Sequence, residues 1–169
     1  MTDAADDVGA GRPVLPAPPP PGADYVRARR HGQTLFLAGQ LPFVDGELPR
    51  TGRVGDGLDV ADGRELARLA ALNALAVAHA ELGSLDGVSA VSMTVFVSST
   101  PGFTRQHLVA DGASGALTEV LGKRGAHVRT AVATPVLPLD SPVEVQLVLG
   151  LDDVPPPPTL GSTSTKDTP

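Results

Sequence analysis

Hydrophobic and polar residues follow two different periods along the middle of the chain. Alternation with a period of two predicts five strands, at 25–30, 34–39, 88–99, 128–136 and 142–149. Spacing of three and four residues predicts a long helix at 59–85 and a weaker helix at 104–122 that contains two glycines. The order β-β-α-β-α-β-β, with consecutive hairpins, predicts an α+β fold whose mainly antiparallel sheet is covered on one face by two helices.

The first helix has typical cap residues. Asp59 is the predicted N-cap, with Asp62 three residues later, and Gly83 is the predicted stop. Asn73 falls on the buried stripe of this helix, where we expect it to satisfy a buried backbone group. The preceding residues 40–58 predict a loop, in which 50–55 can form a short strand.

Proline marks the limits of the folded region. Residues 1–22 and 153–169 are rich in proline, which lacks a backbone donor, and they contain little that can be buried. We therefore predict a disordered Pro-rich tail at 1–22, one domain at 23–152, and a disordered Pro/Ser/Thr-rich tail at 153–169. Val, Leu and Met occur on both faces of several strands, which predicts that the helix-free face packs on other copies.

Composition excludes several classes of site. The 169 residues include no cysteine, and the four histidines form no HxH or HxxxH pair, so neither a disulfide nor a metal site is expected. No segment reaches transmembrane length and the N-terminus does not resemble a secretory signal, which predicts a cytoplasmic protein without membrane contact. Residues 23–152 hold 11 basic and 14 acidic side chains, a net charge of −3, which argues against a nucleic-acid partner.

Two charged residues stand inside the last two strands. Arg129 shares a face with Ala131 and Ala133, whose small side chains leave space for a guanidinium to reach a pocket. A guanidinium can bind a carboxylate through two parallel hydrogen bonds. Glu144 stands in the second strand, and an Arg129–Glu144 ion pair inside an interface would explain the same pattern. The residues by themselves leave both interpretations open.

Four segments together resemble one protein family. They are "YVRARRHGQTLFLAGQLP", "ARLAALNALAVAHAELGSLDGV", "VFVSSTPGF" and "HVRTAVATPVLPLDSPVEVQL". In this order and spacing the chain from Tyr25 to Asp152 is similar to the RidA (YjgF) family, in its chorismate-mutase-like endoribonuclease (L-PSP) branch. The resemblance implies a homotrimer with an inner barrel and a ligand cleft at each subunit interface. It also implies hydrolysis of reactive 2-enamines and 2-imines, such as 2-aminoacrylate, to 2-keto acids and ammonia, without a metal or an organic cofactor.

The resemblance also implies roles for particular residues. Arg129 would bind the substrate carboxylate, Glu144 would hold or activate the attacking water, and Tyr25 would line the cleft. The remaining substrate-binding positions that it implies are Ala38, Gly39, Gln40, His107 and Ala131. Ala38 stands where the family has a serine and His107 where the archetype has an asparagine, which puts substrate range and turnover in question.

The other histidines are predicted to have no functional role. His31 and His127 fall at turns, and His79 falls on the exposed side of the first helix. For His107, proton transfer and a purely structural role both remain open.

Two other functions remain as alternatives to the deaminase. The first is a non-catalytic trimeric module that binds small carboxylic metabolites through Arg129. The second is an endoribonuclease, against which the acidic balance and the single tyrosine both argue.

Overall fold

A computed structural model of the chain describes residues 13–19 and 24–152. Within these residues the elements are, in order, β1 (Ala28–His31), β2 (Thr34–Leu37), β3 (Arg53–Val54), β4 (Gly57–Leu58), α1 (Val60–Leu82), β5 (Val88–Ser98), α2 (Gln106–Leu121), β6 (Val128–Thr134) and β7 (Val143–Leu151). Five strands form one sheet in the order β1-β2-β7-β5-β6, while β3 and β4 form a separate two-residue parallel pair. The predicted α+β class is confirmed.

Strand pairing in the sheet is antiparallel except between β5 and β6. The predicted hairpin of β1 and β2 is confirmed, but β6 and β7 do not form a hairpin, because β5 lies between them. The reason is the crossover through α2, which returns the chain to the same end of the sheet, so β6 pairs parallel to β5. β7 then pairs with the free edges of β5 and β2.

The cap prediction for α1 is confirmed. The Asp62 backbone N–H donates to Asp59 Oδ1 at 2.9 Å, and the Asp59 N–H donates to Asp62 Oδ2 at 3.1 Å. The helix ends at Gly83, which adopts a left-handed conformation with φ 79°. Both helices pack on the same face of the sheet and bury most of the core. They approach so closely that a Cβ at Gly112 would overlap the Arg64 carbonyl oxygen.

The other face of the five-stranded sheet has no helix over it among the residues described. Strand register places Phe36 and Val148 on this face, together with Glu144, which is opposite Phe96. Phe36 is 47% exposed and Val128, also on this face, is 70% exposed. Exposed apolar side chains on a sheet face are typical of a surface that packs on another molecule.

Part of the predicted N-terminal tail belongs to the folded domain. Leu15 packs against the core, in a groove that includes Phe43, Leu69 and Leu72. The Pro19 carbonyl accepts a hydrogen bond of 2.7 Å from Arg27 Nη1. Residues 13–19, which lie within the predicted tail, thus pack against the domain, because Leu15 gives this segment an apolar group to bury. The rest of the two predicted tails, at 1–12, 20–22 and 153–169, lies outside the described residues.

No helix in the described part of the chain is both long enough and apolar enough to cross a bilayer.

Candidate functional site

Glu144 lies on the helix-free face of β7, beside the segment that follows β2. Gln40 and Val145 exchange two backbone hydrogen bonds, of 2.8 and 2.9 Å, which fix this segment along β7. The Glu144 carboxylate then occupies the space that a Cβ at position 39 would need. Only glycine at position 39 allows this approach without moving the carboxylate.

Burial changes the proton affinity of Glu144. Its partial removal from water disfavours the charged form and raises the pKa of the carboxyl above the ordinary value of 4.5. A carboxyl with a raised pKa exchanges a proton closer to neutral pH, which suits general acid–base chemistry. Glu144 is therefore the candidate proton-transfer group of this site.

The Gln40 side chain holds the backbone of the segment that lies beside Glu144. It is buried, and its Nε2 donates to the carbonyls of Ala38 and Gly39, both at 3.1 Å. The predicted substrate contact of Gln40 would have to come from its other atoms, because the amide nitrogen already holds the segment in place. Ala38 donates its own N–H to the Arg27 carbonyl at 2.9 Å and so continues the β1–β2 pairing.

Asn73 fixes the continuation of the same segment. Its Nδ2 donates to the carbonyls of Leu41 at 2.9 Å and Phe43 at 3.0 Å. This confirms that a polar residue on the buried stripe of α1 satisfies backbone groups. The residues after Gln40 are thus tied to α1, while Gln40 itself pairs with β7.

Arg129 lies on β6 and points toward α2, on the opposite face of the sheet from Glu144. Its Nη1 donates to Asp111 Oδ1 at 3.0 Å and to Ser114 Oγ at 2.8 Å, and its Nη2 donates to the His107 carbonyl at 3.0 Å. The Arg129 side chain is 22% exposed and that of Asp111 is 43% exposed. A guanidinium has five N–H donors, so within the described residues two remain for a ligand.

His127 completes this group of polar residues. Its Nε2 lies 3.1 Å from Ser114 Oγ and its Nδ1 lies 2.7 Å from the Gly125 carbonyl oxygen. These are structural contacts, and the expectation that His127 has no functional role of its own stays a prediction. His107 contributes its carbonyl while its side chain is exposed. Ala131, on the same face as Arg129, is partly buried against the core.

Sequence reasoning missed three residues of this group, namely Asp111, Ser114 and His127. A signal was present, because residues 107, 111 and 114 are spaced by four and three and so share one face of α2. The side chain that this face meets on β6 could not be identified from α2 alone.

One chain does not bring all the predicted residues together. Arg129 pairs with Met93 and Glu144 pairs with Phe96, so the two charged residues are three positions apart along β5 and on opposite faces. That offset corresponds to about 10 Å along the strands and about 10 Å across them. An Arg129–Glu144 ion pair within one chain is therefore excluded, and Arg129 pairs with Asp111 instead.

Tyr25 lies at the far edge of the sheet from Arg129. It precedes β1, is 50% exposed, and lines a surface cavity with Val77, Ala80 and Glu81 of α1. A small ligand that contacts Arg129, Glu144 and Tyr25 together would need residues from more than one chain.

Metal ligands do not cluster in the described part of the protein. No group of three or more His, Asp or Glu side chains there could hold a metal ion.

The fold and the match to a family model define the class of protein. Two helices on one face of a β1-β2-β7-β5-β6 sheet form an α+β domain of the chorismate-mutase-like type. The family model described as "YjgF/chorismate_mutase-like, putative endoribonuclease" matches residues 21–151. The chain belongs to this family, which confirms the resemblance seen in the sequence.

Relatives and solved structures extend over most of the chain. Protein TCP17 of Trypanosoma cruzi is 40% identical over 141 residues, which are 82% of this chain and 88% of that protein. A "putative endoribonuclease" of Shewanella oneidensis MR-1 has a TM-score of 0.79 at 29% identity, covering 82% of this chain and 92% of the other. E. coli TdcF, solved with bound serine, has a TM-score of 0.57 at 25% identity, covering 84% of this chain and 98% of the other.

Proposed function

We propose that the protein hydrolyses reactive 2-enamines and 2-imines of the 2-aminoacrylate type to 2-keto acids and ammonia. The observation that carries the proposal is the half-buried Glu144 carboxyl, whose pKa is raised by burial and which is placed against Gly39. Imine hydrolysis needs a group that takes a proton from water and returns it to nitrogen, and a carboxyl of this kind can do both.

Arg129 supplies the second requirement, recognition of the substrate carboxylate. Its two remaining N–H donors can bind one carboxylate, with charge-assisted hydrogen bonds of about 1.5–3 kcal/mol each. The serine bound to E. coli TdcF is an amino acid with a free carboxylate, which supports a ligand of this class for the family.

The proposed reaction balances without a redox step. A 2-enamine takes a proton at C3 and loses one from nitrogen to give the 2-imine. Glu144 accepts a proton from water, and the hydroxide oxygen bonds to C2 while the C=N bond becomes single. The Glu144 carboxyl gives this proton to nitrogen, which forms a carbinolamine. Glu144 then takes the proton of the C2 hydroxyl and passes it to nitrogen, so that the C–N bond breaks, ammonia leaves and C2 becomes a carbonyl. The phenol of Tyr25 would donate to the imine nitrogen, and the Gly39 backbone amide would be a further donor.

The placement of Arg129 and Glu144 on opposite faces leads us to propose a site shared between copies. In a homotrimer, the β6 edge of one copy would bring Arg129 to the helix-free face of the next, where Glu144 lies. The same packing would cover the exposed Phe36 and Val128. We expect a cytoplasmic protein, because the reactive imines would have to be hydrolysed where they are released.

A coupled assay tests the proposed reaction. An amino-acid oxidase generates the imine, semicarbazide competes for it, and keto-acid release is measured with and without the protein. We expect faster release with the natural chain, and at least 100-fold less acceleration with Arg129→Ala or Glu144→Gln. Arg68→Ala, which removes an exposed ion pair with Glu119, is the matched control and should behave as the natural chain.

The alternatives predict different results in the same preparation. Binding of 2-keto acids without any acceleration of imine hydrolysis would favour the carboxylate-binding module. The names of several relatives contain the word endoribonuclease, but the net charge of −3 over 23–152 is poorly suited to RNA. We therefore expect the natural chain to cleave single-stranded RNA no faster than the Glu144→Gln variant does.

A further inference from the structure

A chain of hydrogen bonds links Arg129 to a histidine that does not touch it. Arg129 Nη1 donates to Ser114 Oγ at 2.8 Å, Ser114 Oγ lies 3.1 Å from His127 Nε2, and His127 Nδ1 lies 2.7 Å from the Gly125 carbonyl. Ser114 is on α2 and His127 immediately precedes β6, so the chain connects the helix to the strand that carries Arg129.

Donor and acceptor rules fix the direction of this chain when the imidazole is neutral. The Gly125 carbonyl can only accept, so His127 Nδ1 must carry the proton. Nε2 then has a free lone pair and accepts the Ser114 hydroxyl proton. With its proton directed at His127, Ser114 Oγ presents its lone pairs to the Arg129 guanidinium.

This direction matters because Asp111 competes for the same guanidinium. An arginine and a carboxylate favour a bidentate pair, which would use the donors that a ligand needs. Ser114 takes one Nη1 proton and the His107 carbonyl takes one from Nη2, so Asp111 is held to a single hydrogen bond. Without an acceptor at His127, the Ser114 hydroxyl could donate to a nearby acceptor on its own helix instead.

We propose that Ser114 and His127 are positioning residues that keep two donors of Arg129 available for a ligand carboxylate. The inference rests on the proposed function for the identity of the ligand. It goes beyond that function by assigning a role to two residues that are not expected to touch substrate.

Nitrogen NMR of the free protein is the first test and needs no ligand. At a pH where the imidazole is neutral, we expect His127 with a protonated Nδ1 and an unprotonated Nε2. We also expect separate Nη signals for Arg129, because its hydrogen bonds hinder rotation, and shifted but still separate signals in Ser114→Ala, where Asp111 can form the bidentate pair. A protonated Nε2 and free Nδ1 in the natural chain would overturn the inference.

Ligand selectivity is the second test, because a general loss of structure would not change it. Binding of a 2-keto acid is compared with binding of the corresponding uncharged 2-keto amide by calorimetry. We expect Ser114→Ala and His127→Leu each to reduce the preference for the acid about tenfold, the loss of one hydrogen bond to a charged group. Ser114→Thr and His127→Gln, which keep the hydroxyl and an acceptor, should stay within about threefold of the natural chain.

The double variant Ser114→Ala with His127→Leu should reduce the preference for the acid no further than either single change does. Both substitutions break the same series of hydrogen bonds. An unchanged acid preference in Ser114→Ala would overturn the inference even if imine hydrolysis is observed. The predicted tautomer together with no acid preference in the natural chain would instead count against carboxylate binding by Arg129. These results separate failure of the positioning role from failure of the proposed function.

Discussion

The carboxylate of Glu144 lies where a side chain on Gly39 would have to be. This relationship joins two segments, because Gly39 follows β2 whereas Glu144 lies in β7, and the backbone pairing of Gln40 with Val145 holds them together. Glycine at position 39 is therefore required by the position of the Glu144 carboxylate, and replacing it tests whether that position matters.

Gly39→Ala should displace Glu144 and reduce imine hydrolysis nearly as far as Glu144→Gln does. The atoms nearest to the new Cβ belong to the Glu144 side chain, which can move. We therefore expect the free energy of unfolding, measured by urea denaturation, to change by only about 1 kcal/mol. Gly102→Ala is the matched control, because a Cβ there meets no atom within 4 Å. Full activity in Gly39→Ala would show that the carboxyl does not need this position.

The proton affinity of Glu144 predicts how stability depends on pH. The raised pKa means that the folded chain binds this proton more tightly than the unfolded chain does. The stability that Glu144 contributes is present below the ordinary carboxyl value of 4.5 and is lost as pH rises through the folded pKa. Glu144→Gln should therefore gain stability relative to the natural chain as pH is raised from about 3 to about 7.

Denaturant unfolding at a series of pH values measures this difference. Glu47→Gln, a change at an exposed carboxyl, serves as the control and should follow the natural chain. The quantity compared is the unfolding free energy of Glu144→Gln minus that of the natural chain. If this difference stays constant or falls as pH rises, the burial of the Glu144 carboxyl is contradicted.

Asp111 should weaken ligand binding, because its carboxylate neutralises and occupies part of Arg129. Asp111→Asn removes the charge and keeps the shape, so we expect a 2-keto acid to bind several-fold more tightly, about 1 kcal/mol. The matched control is Glu119→Gln, which removes a carboxylate on the same helix that pairs with Arg68. Weaker acid binding in Asp111→Asn would mean that the carboxylate positions Arg129 rather than competing for it.

Asn73 should be needed for stability. Asn73→Ala leaves the partly buried carbonyls of Leu41 and Phe43 without their donor, at a cost of about 2–4 kcal/mol in unfolding free energy. His79→Ala, at an exposed position of the same helix, should cost less than about 0.5 kcal/mol. Equal unfolding free energies for the two variants would contradict the assigned hydrogen bonds.

Local patterns predicted the elements well because each depends on nearby residues. Neighbouring residues alone are enough to recognise the capping box of Asp59 and Asp62 and the alternation of β5. Asn73 could be predicted as a buried donor for the same reason. The strand pattern also singled out Arg129 and Glu144 as charges inside strands, whereas their predicted roles came from the family resemblance.

The missed features depend on how distant segments meet. β5 separates β6 from β7 because of the α2 crossover, and this puts Arg129 and Glu144 on opposite faces. Asp111 and Ser114 gained their role only from the strand packed against α2. The docking of Leu15 likewise depends on a groove built by residues far along the chain.

In the proposed homotrimer, Arg129 of one copy and Glu144 of another act on the same substrate. Complementation tests it directly: Arg129→Ala and Glu144→Gln chains, each inactive alone, are unfolded together, refolded at equal amounts and assayed for imine hydrolysis. If neighbouring copies share each site, random mixing in a trimer gives about a quarter of the natural activity, because that fraction of sites keeps both residues. Activity that stays at the level of the separate variants, in a mixture shown to exchange subunits, would contradict a shared site.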